Sequence, residues 1–178
     1  MTQPKLTEAS SERSLDLREE DLRQAIELLF FAYRDFTGEA DAILSTYEFG
    51  RAHHRVIYFI GRNPGVTVSQ LLAILKITKQ SLARVLGQLI EEGFVEQNTD
   101  EKDRRRRLLI LTNNGVDLDR QLTDRQSHRI ASAFKEAGPT AIDGFRQILR
   151  GIINEEDRAY VDGFFMESSS TCQIKDLG

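Results

Sequence analysis

Apolar residues first recur with helical spacing at Leu22, Ala25, Ile26, Leu29, Phe30 and Tyr33, which predicts an amphipathic helix. Leu28 and Phe31 widen that stripe beyond what one neighbouring helix covers. The helix is therefore either a deeply buried core helix or one that also buries a face in a dimer. Gly38 is expected to end or break it, and a second helical run is expected from about Ala40 to Phe59, stopped by Asn63-Pro64-Gly65. Thr67 followed by Gln70 matches a capping box, opening a short helix anchored by Leu71, Leu72, Ile74 and Leu75. A tight connection through Ile77 leads to Thr78, an N-cap candidate for the next helix. There Leu82, Val85, Leu86, Leu89 and Ile90 form one stripe, while Lys79, Gln80, Ser81, Arg84 and Gln88 face the other way. Gly93 is placed to end that helix as its C′ residue.

Beyond Gly93 the period drops to two. Phe94–Gln97 reads as a strand and Leu108–Leu111 as its antiparallel partner, with Arg107 able to join the strand. Helix, short helix, helix and two-stranded hairpin follow in the order of a winged helix-turn-helix. Thr112-Asn113-Asn114-Gly115 reads as the start of a mostly polar helix reaching about Ala137, interrupted by Gly138-Pro139. Ile142, Phe145, Ile148, Leu149, Ile152 and Ile153 form another amphipathic stripe, continued less regularly through Val161, Phe164 and Phe165.

The expected fold is mainly α with a small two-stranded β-wing: a winged helix-turn-helix core flanked by N- and C-terminal dimerisation helices. Its divisions are a disordered arm (1–17), an N-terminal dimerisation region (18–48), the DNA-binding core (49–115), C-terminal linker and dimerisation helices (116–167) and a flexible tail (168–178).

Composition narrows the class. The 178 residues leave room for about one domain. A single cysteine excludes an internal disulfide framework or a cysteine-rich zinc module. The polar, acidic N-terminus lacks the apolar stretch of a signal peptide, so a cytoplasmic protein, at the nucleoid when bound to DNA, is expected. The net charge of −4 argues against coating nucleic acid by bulk charge. Its distribution points elsewhere: residues 101–107 hold Lys102, Arg104, Arg105, Arg106 and Arg107 against Glu101 and Asp103, a net +3 on the hairpin tip. Such arginines can track phosphates and enter a narrow minor groove. On the helix before them, Gln and Arg suit base edges while Lys, Ser and Thr suit phosphates.

The stretch from Gly50 to Gly115 resembles the winged-helix core of the multiple-antibiotic-resistance regulator (MarR) family. Asp103-Arg104-Arg105 and Leu111-Thr112 stand at the spacing of that family's wing, and the likeness extends over roughly residues 20–166. It implies a homodimeric bacterial transcription regulator, usually a repressor, often released from DNA by a small ligand. It also implies that Asp103 orients Arg105 toward the minor groove. The DNA-contacting set is then Thr67, Thr78, Lys79, Gln80, Ser81, Arg84 and Gln88 from the helices, with Lys102, Asp103, Arg104, Arg105 and Arg106 from the wing. The partners expected are a pseudo-palindromic double-stranded operator, a second copy of the chain and a small effector, with no membrane.

His53, His54 and Tyr58 are candidates for lining an effector cleft: His54 and Tyr58 share a helix face, and His53 borders the buried stripe. The adjacent His53 and His54 point in different directions and cannot easily chelate one ion, so neither a metal site nor a cofactor is expected, even with His128. Cys172 lacks an activating cluster, and an inert thiol is expected. No phosphate-binding glycine loop, nucleophile elbow or His-Glu-x-x-His pair is present, so the chain is not expected to be an enzyme. Two other readings stay open: a winged-helix interaction module without DNA binding, and a redox- or metal-responsive regulator.

Overall fold

The computed structural model describes residues 17–100, 103–104 and 106–172, with side chains to residue 163. Seven helices and three short strands occur among them: α1 (Glu19–Ser45), α2 (Arg51–Arg62), β1 (Val66–Thr67), α3 (Val68–Leu75), α4 (Lys79–Glu91), β2 (Val95–Thr99), β3 (Arg107–Leu111), α5 (Asn113–Ala137), α6 (Pro139–Ile152) and α7 (Glu155–Cys172). They fall into two compact units, one to Asp35 and one from Phe36 onward.

In the first unit α1 opens with Glu19, Glu20 and Asp21, the sign its N-terminal dipole favours. Leu22, Ile26, Leu28, Leu29, Phe30, Phe31 and Tyr33 are all exposed, and Arg34 lies 4.7 Å above the Phe31 ring.

The second unit holds the core. Ala40 and Leu44 of α1, Val56, Ile57 and Ile60 of α2, and Leu82, Val85 and Leu89 of α4 are buried together. Leu71 of α3, Leu109 of β3 and Leu118 and Leu122 of α5 join the cluster, along with Phe49, Val66, Leu86, Phe94 and Val95. The apolar stripes of α2 and α4 meet, so the polar face of α4 is left outward.

Three differences from the sequence expectation have physical causes. Helix α1 runs through Gly38: one glycine costs a helix only about 1 kcal/mol, and buried Thr37, Ala40 and Leu44 hold the flanking turns. The expected run from Ala40 to Phe59 is two helices, broken where Glu48 takes a left-handed backbone (φ 57°). There the Phe49 N–H returns to the Leu44 carbonyl at 3.0 Å, closing a Schellman-type stop that buries the Phe49 ring. Lastly, α7 is a separate helix that continues to Cys172, so residues 168–172 are helical where a loose tail was expected.

The wing also gains a strand. Its hairpin pairs Val95 with Leu111 through Thr99 with Arg107, and β1 adds Val66 opposite Leu109 and Thr67 opposite Leu108, giving the order β1-β3-β2. A two-residue strand shows no period, so the two-stranded wing was all the pattern could show. No helix among the described residues is long and apolar enough to cross a membrane.

Candidate nucleic-acid interface

The helix-turn-helix is set by two side-chain caps. Thr67 Oγ1 accepts the Gln70 N–H at 3.3 Å, and Gln70 Oε1 takes the Thr67 N–H at 2.9 Å, the reciprocal capping box that starts α3. Thr78 Oγ1 accepts the Ser81 N–H at 3.1 Å and donates to Ser81 Oγ at 2.9 Å, starting α4. Between them Lys76 adopts a left-handed backbone (φ 50°), which makes the sharp turn. Each cap is worth about 1 kcal/mol and fixes where its helix begins.

Lys79, Gln80, Ser81 and Arg84 are exposed along the first two turns of α4. The side chains of Lys79, Gln80 and Arg84 make no hydrogen bond or ion pair to another described residue. Donors of this kind at a helix N-terminus suit a polyanion, whose phosphates the helix dipole also favours.

Gln88 is held differently. His53, buried on α2, accepts the Gly50 N–H at Nδ1 (3.0 Å), which leaves its proton on Nε2. That Nε2 lies 2.9 Å from Gln88 Oε1, and the Gln88 amide donates to Glu92 at 2.9 Å. The His53 ring also stacks on Phe49, with centroids 4.6 Å apart.

At the wing, the Asp100 N–H donates to the Arg106 carbonyl (3.1 Å) and the Arg106 N–H to the Asp103 carbonyl (2.8 Å). The Arg106 guanidinium stands 3.6 Å from Asp100, and Arg107 bonds Thr99 across the strands. Asp103, Arg104 and Arg106 are exposed. Lys102 and Arg105, both expected at the DNA, lie outside the described residues, as does the side chain of Cys172. The root of the hairpin is tied to α5: Thr112 caps that helix by accepting the Gly115 N–H (3.1 Å) while its hydroxyl donates to the Gly93 carbonyl (2.6 Å).

The three effector candidates all lie on α2, with His54 and Tyr58 half-buried one turn apart. His53 sits in the core. His54 is half-buried, which pushes its imidazole below the usual range, with Asp41 opposing and Arg55 reinforcing the shift. Tyr58 packs edge-on against Phe59. Two clefts lie elsewhere. One, of about 400 Å3, runs between Asn63–Val66, Gln70, Arg106 and α7; the other, of about 310 Å3, is lined by Glu39, Asp124, Arg125 and His128. Lys76 bonds Glu156 and Asp157 of α7, which hold its ammonium above the usual lysine range. Sequence reasoning missed Glu92, although its place four residues after Gln88 is the spacing at which helix side chains meet.

This arrangement of capped turn, exposed basic helix and arginine hairpin has close counterparts. Residues 47–106 match the model of the MarR family. Over 149 residues the chain is 47% identical to the HTH-type transcriptional regulator PetP of Rhodobacter capsulatus, covering 84% of this chain and 90% of that protein. The chain belongs to the MarR family. Family members are transcriptional regulators, not enzymes, and that is the class of this MarR-family chain. Its fold is similar to a MarR family regulator from Listeria monocytogenes complexed with 26mer DNA (TM-score 0.63, 16% identity, 81% of this chain and 93% of that one). It is also similar to a mutant MarR from E. coli complexed with operator DNA (TM-score 0.58, 18% identity, 76% of this chain and 97% of that one). At those identities the likeness is one of fold.

Proposed function

We propose that this MarR-family regulator binds double-stranded DNA as a homodimer and acts as a repressor that a small ligand releases from a pseudo-palindromic operator. The observation that carries the reading is the outward face of α4, with Lys79, Gln80, Ser81 and Arg84 exposed and basic side chains that no described neighbour holds. Thr67 and Thr78 stand at the two helix starts, where phosphates are favoured. In this reading Arg84 and Gln80 contact base edges, Lys79 and Ser81 hold phosphates, and Arg104, Arg105 and Arg106 with Lys102 engage backbone and minor groove, Asp103 positioning Arg105. Two relatives of the same fold were captured on DNA, which supports the reading.

The second copy is argued from surface chemistry. Ile26 and Phe30 of α1 are 69% and 62% exposed, and Ile148 and Ile152 of α6 are 65% and 59% exposed; each helix leaves its own apolar face in water in a solitary protomer. A two-fold dimer would bury these faces and present two reading heads to half-sites about one helical turn apart.

The test is selection of bound sequences from random double-stranded DNA, followed by fluorescence anisotropy at two salt concentrations. A short pseudo-palindrome bound with steep salt dependence is expected. Arg105→Ala should flatten the salt slope by about one unit, and Arg84→Ala should alter preference at one position in each half-site. Weak, sequence-blind binding at every salt concentration would refute the reading in favour of a protein-interaction module.

A further inference from the structure

Gln88 lies on the polar face of the helix proposed to read DNA, and its amide is a chemically suitable partner for adenine. Its bonds place it in another role. An amide offers one oxygen and one NH2 group: here the oxygen faces the His53 Nε2–H and the NH2 faces the Glu92 carboxylate. Each group keeps a second site, a lone pair on the oxygen and an N–H on the nitrogen, but turning the amide to bring both onto a base would draw the oxygen away from the buried His53 N–H.

His53 in turn has no freedom to adapt. It is only 6% exposed, its ring is stacked on Phe49, and Nδ1 is committed to the Gly50 N–H at the start of α2. The Gly50 bond fixes the tautomer, and the tautomer fixes which end of the Gln88 amide turns inward. The chain of bonds Gly50–His53–Gln88–Glu92 thus joins the first turn of α2 to the last turn of α4.

We propose that His53 is a positioning residue that sets the pose of the recognition helix through Gln88, and that Gln88 is a strut and not a base reader. This rests on the DNA-binding reading given above and removes one residue from its specificity set. Base choice then falls to the N-terminal half of α4, and the C-terminal half supplies the angle at which that half enters the groove.

The test combines full-length variants with two readouts, one needing no DNA. His53→Gln keeps a donor at the Nε2 position, His53→Phe keeps the stacking alone, and Gln88→Ala removes the strut. In long-range 15N–1H spectra of the wild type, Nδ1 should appear as the unprotonated nitrogen and Nε2 as the protonated one. On DNA recovered by in vitro selection, His53→Phe and Gln88→Ala should each weaken binding about fivefold, one hydrogen bond's worth, with base preference unchanged at every position. The double variant should lose no more than either alone, and His53→Gln should recover most of the affinity. A changed base preference in Gln88→Ala, independent losses in the double variant, or the opposite tautomer would overturn the proposal. Should wild-type protein bind no DNA, the DNA-binding reading fails instead. The spectra, with the same double-mutant cycle on denaturant unfolding, then still decide whether His53 and Gln88 act as one unit.

Discussion

Gly87 in α4 and Gly115 in α5 both have ordinary helical backbones, so alanine at either removes the same entropic penalty, about 0.5–1 kcal/mol. Their surroundings separate them. A Cβ on Gly87 would meet nothing within 4 Å, while one on Gly115 would stand 2.1 Å from the Phe94 carbonyl oxygen. Restoring an ordinary contact there requires the start of α5 to withdraw by about 1.3 Å. That shift stretches the bond from the Thr112 N–H to the Phe94 carbonyl (3.1 Å) and that from the Thr112 hydroxyl to the Gly93 carbonyl (2.6 Å). Overpacking of this kind costs about 1–3 kcal/mol and each of the two weakened bonds about 1 kcal/mol more, so against the entropic gain Gly115→Ala should lose about 2–4.5 kcal/mol net. For a chain of this size that lowers Tm by about 4–18 °C, whereas Gly87→Ala should raise it by about 1–4 °C. Thermal and guanidinium melts at one fixed protomer concentration provide the comparison, since the proposed dimer would make Tm concentration-dependent. If both variants moved in the same direction, or Gly115→Ala melted at or above wild type, the packing argument would fail.

Other outcomes follow from the same geometry. Thr78→Ala should destabilise by about 1 kcal/mol and weaken DNA binding by fraying the first turn of α4, while Thr78→Ser should restore both; anisotropy and melts check this. Ile26→Asp combined with Ile148→Asp should shift sedimentation velocity from dimer to monomer at micromolar concentration, and an unchanged sedimentation coefficient would exclude these faces from the interface. Burial holds the folded-state pKa of His54 below its unfolded value. The unfolded chain therefore binds the extra proton first, so the contribution of His54 is complete above the unfolded pKa and is lost as pH falls through the folded one. His54→Gln should flatten that acid limb in denaturant titrations.

The reading head was the most legible part of the chain because its signals are local. Thr67 with Gln70, Thr78 before an apolar stripe, and Gly93 after it each act within four residues, and all three lie where expected. The α1–α2 break was hidden because Glu48, not glycine, occupies the left-handed position, and only the burial of Phe49 explains it. The bonds of the buried His53 were hidden for a related reason. The helix faces of the effector candidates follow from spacing, but the environment of His53 is set by Gln88, 35 residues away. Long-range partners of this kind leave no periodic trace.

Thr67 belongs to two elements at once: it is the last residue of β1, paired opposite Leu108, and the N-cap of α3. The strand that carries the arginine hairpin is therefore bonded directly to the start of the helix-turn-helix, with no loop between them to absorb motion. A wing hung on a flexible linker would report charge alone. Braced in this way, the wing would be held against the helix-turn-helix as one jaw of a caliper is held against the other. If the chain binds DNA as proposed above, such a head would gauge the distance between neighbouring grooves as well as their bases, and a duplex of altered groove width should bind less tightly even where its sequence is correct.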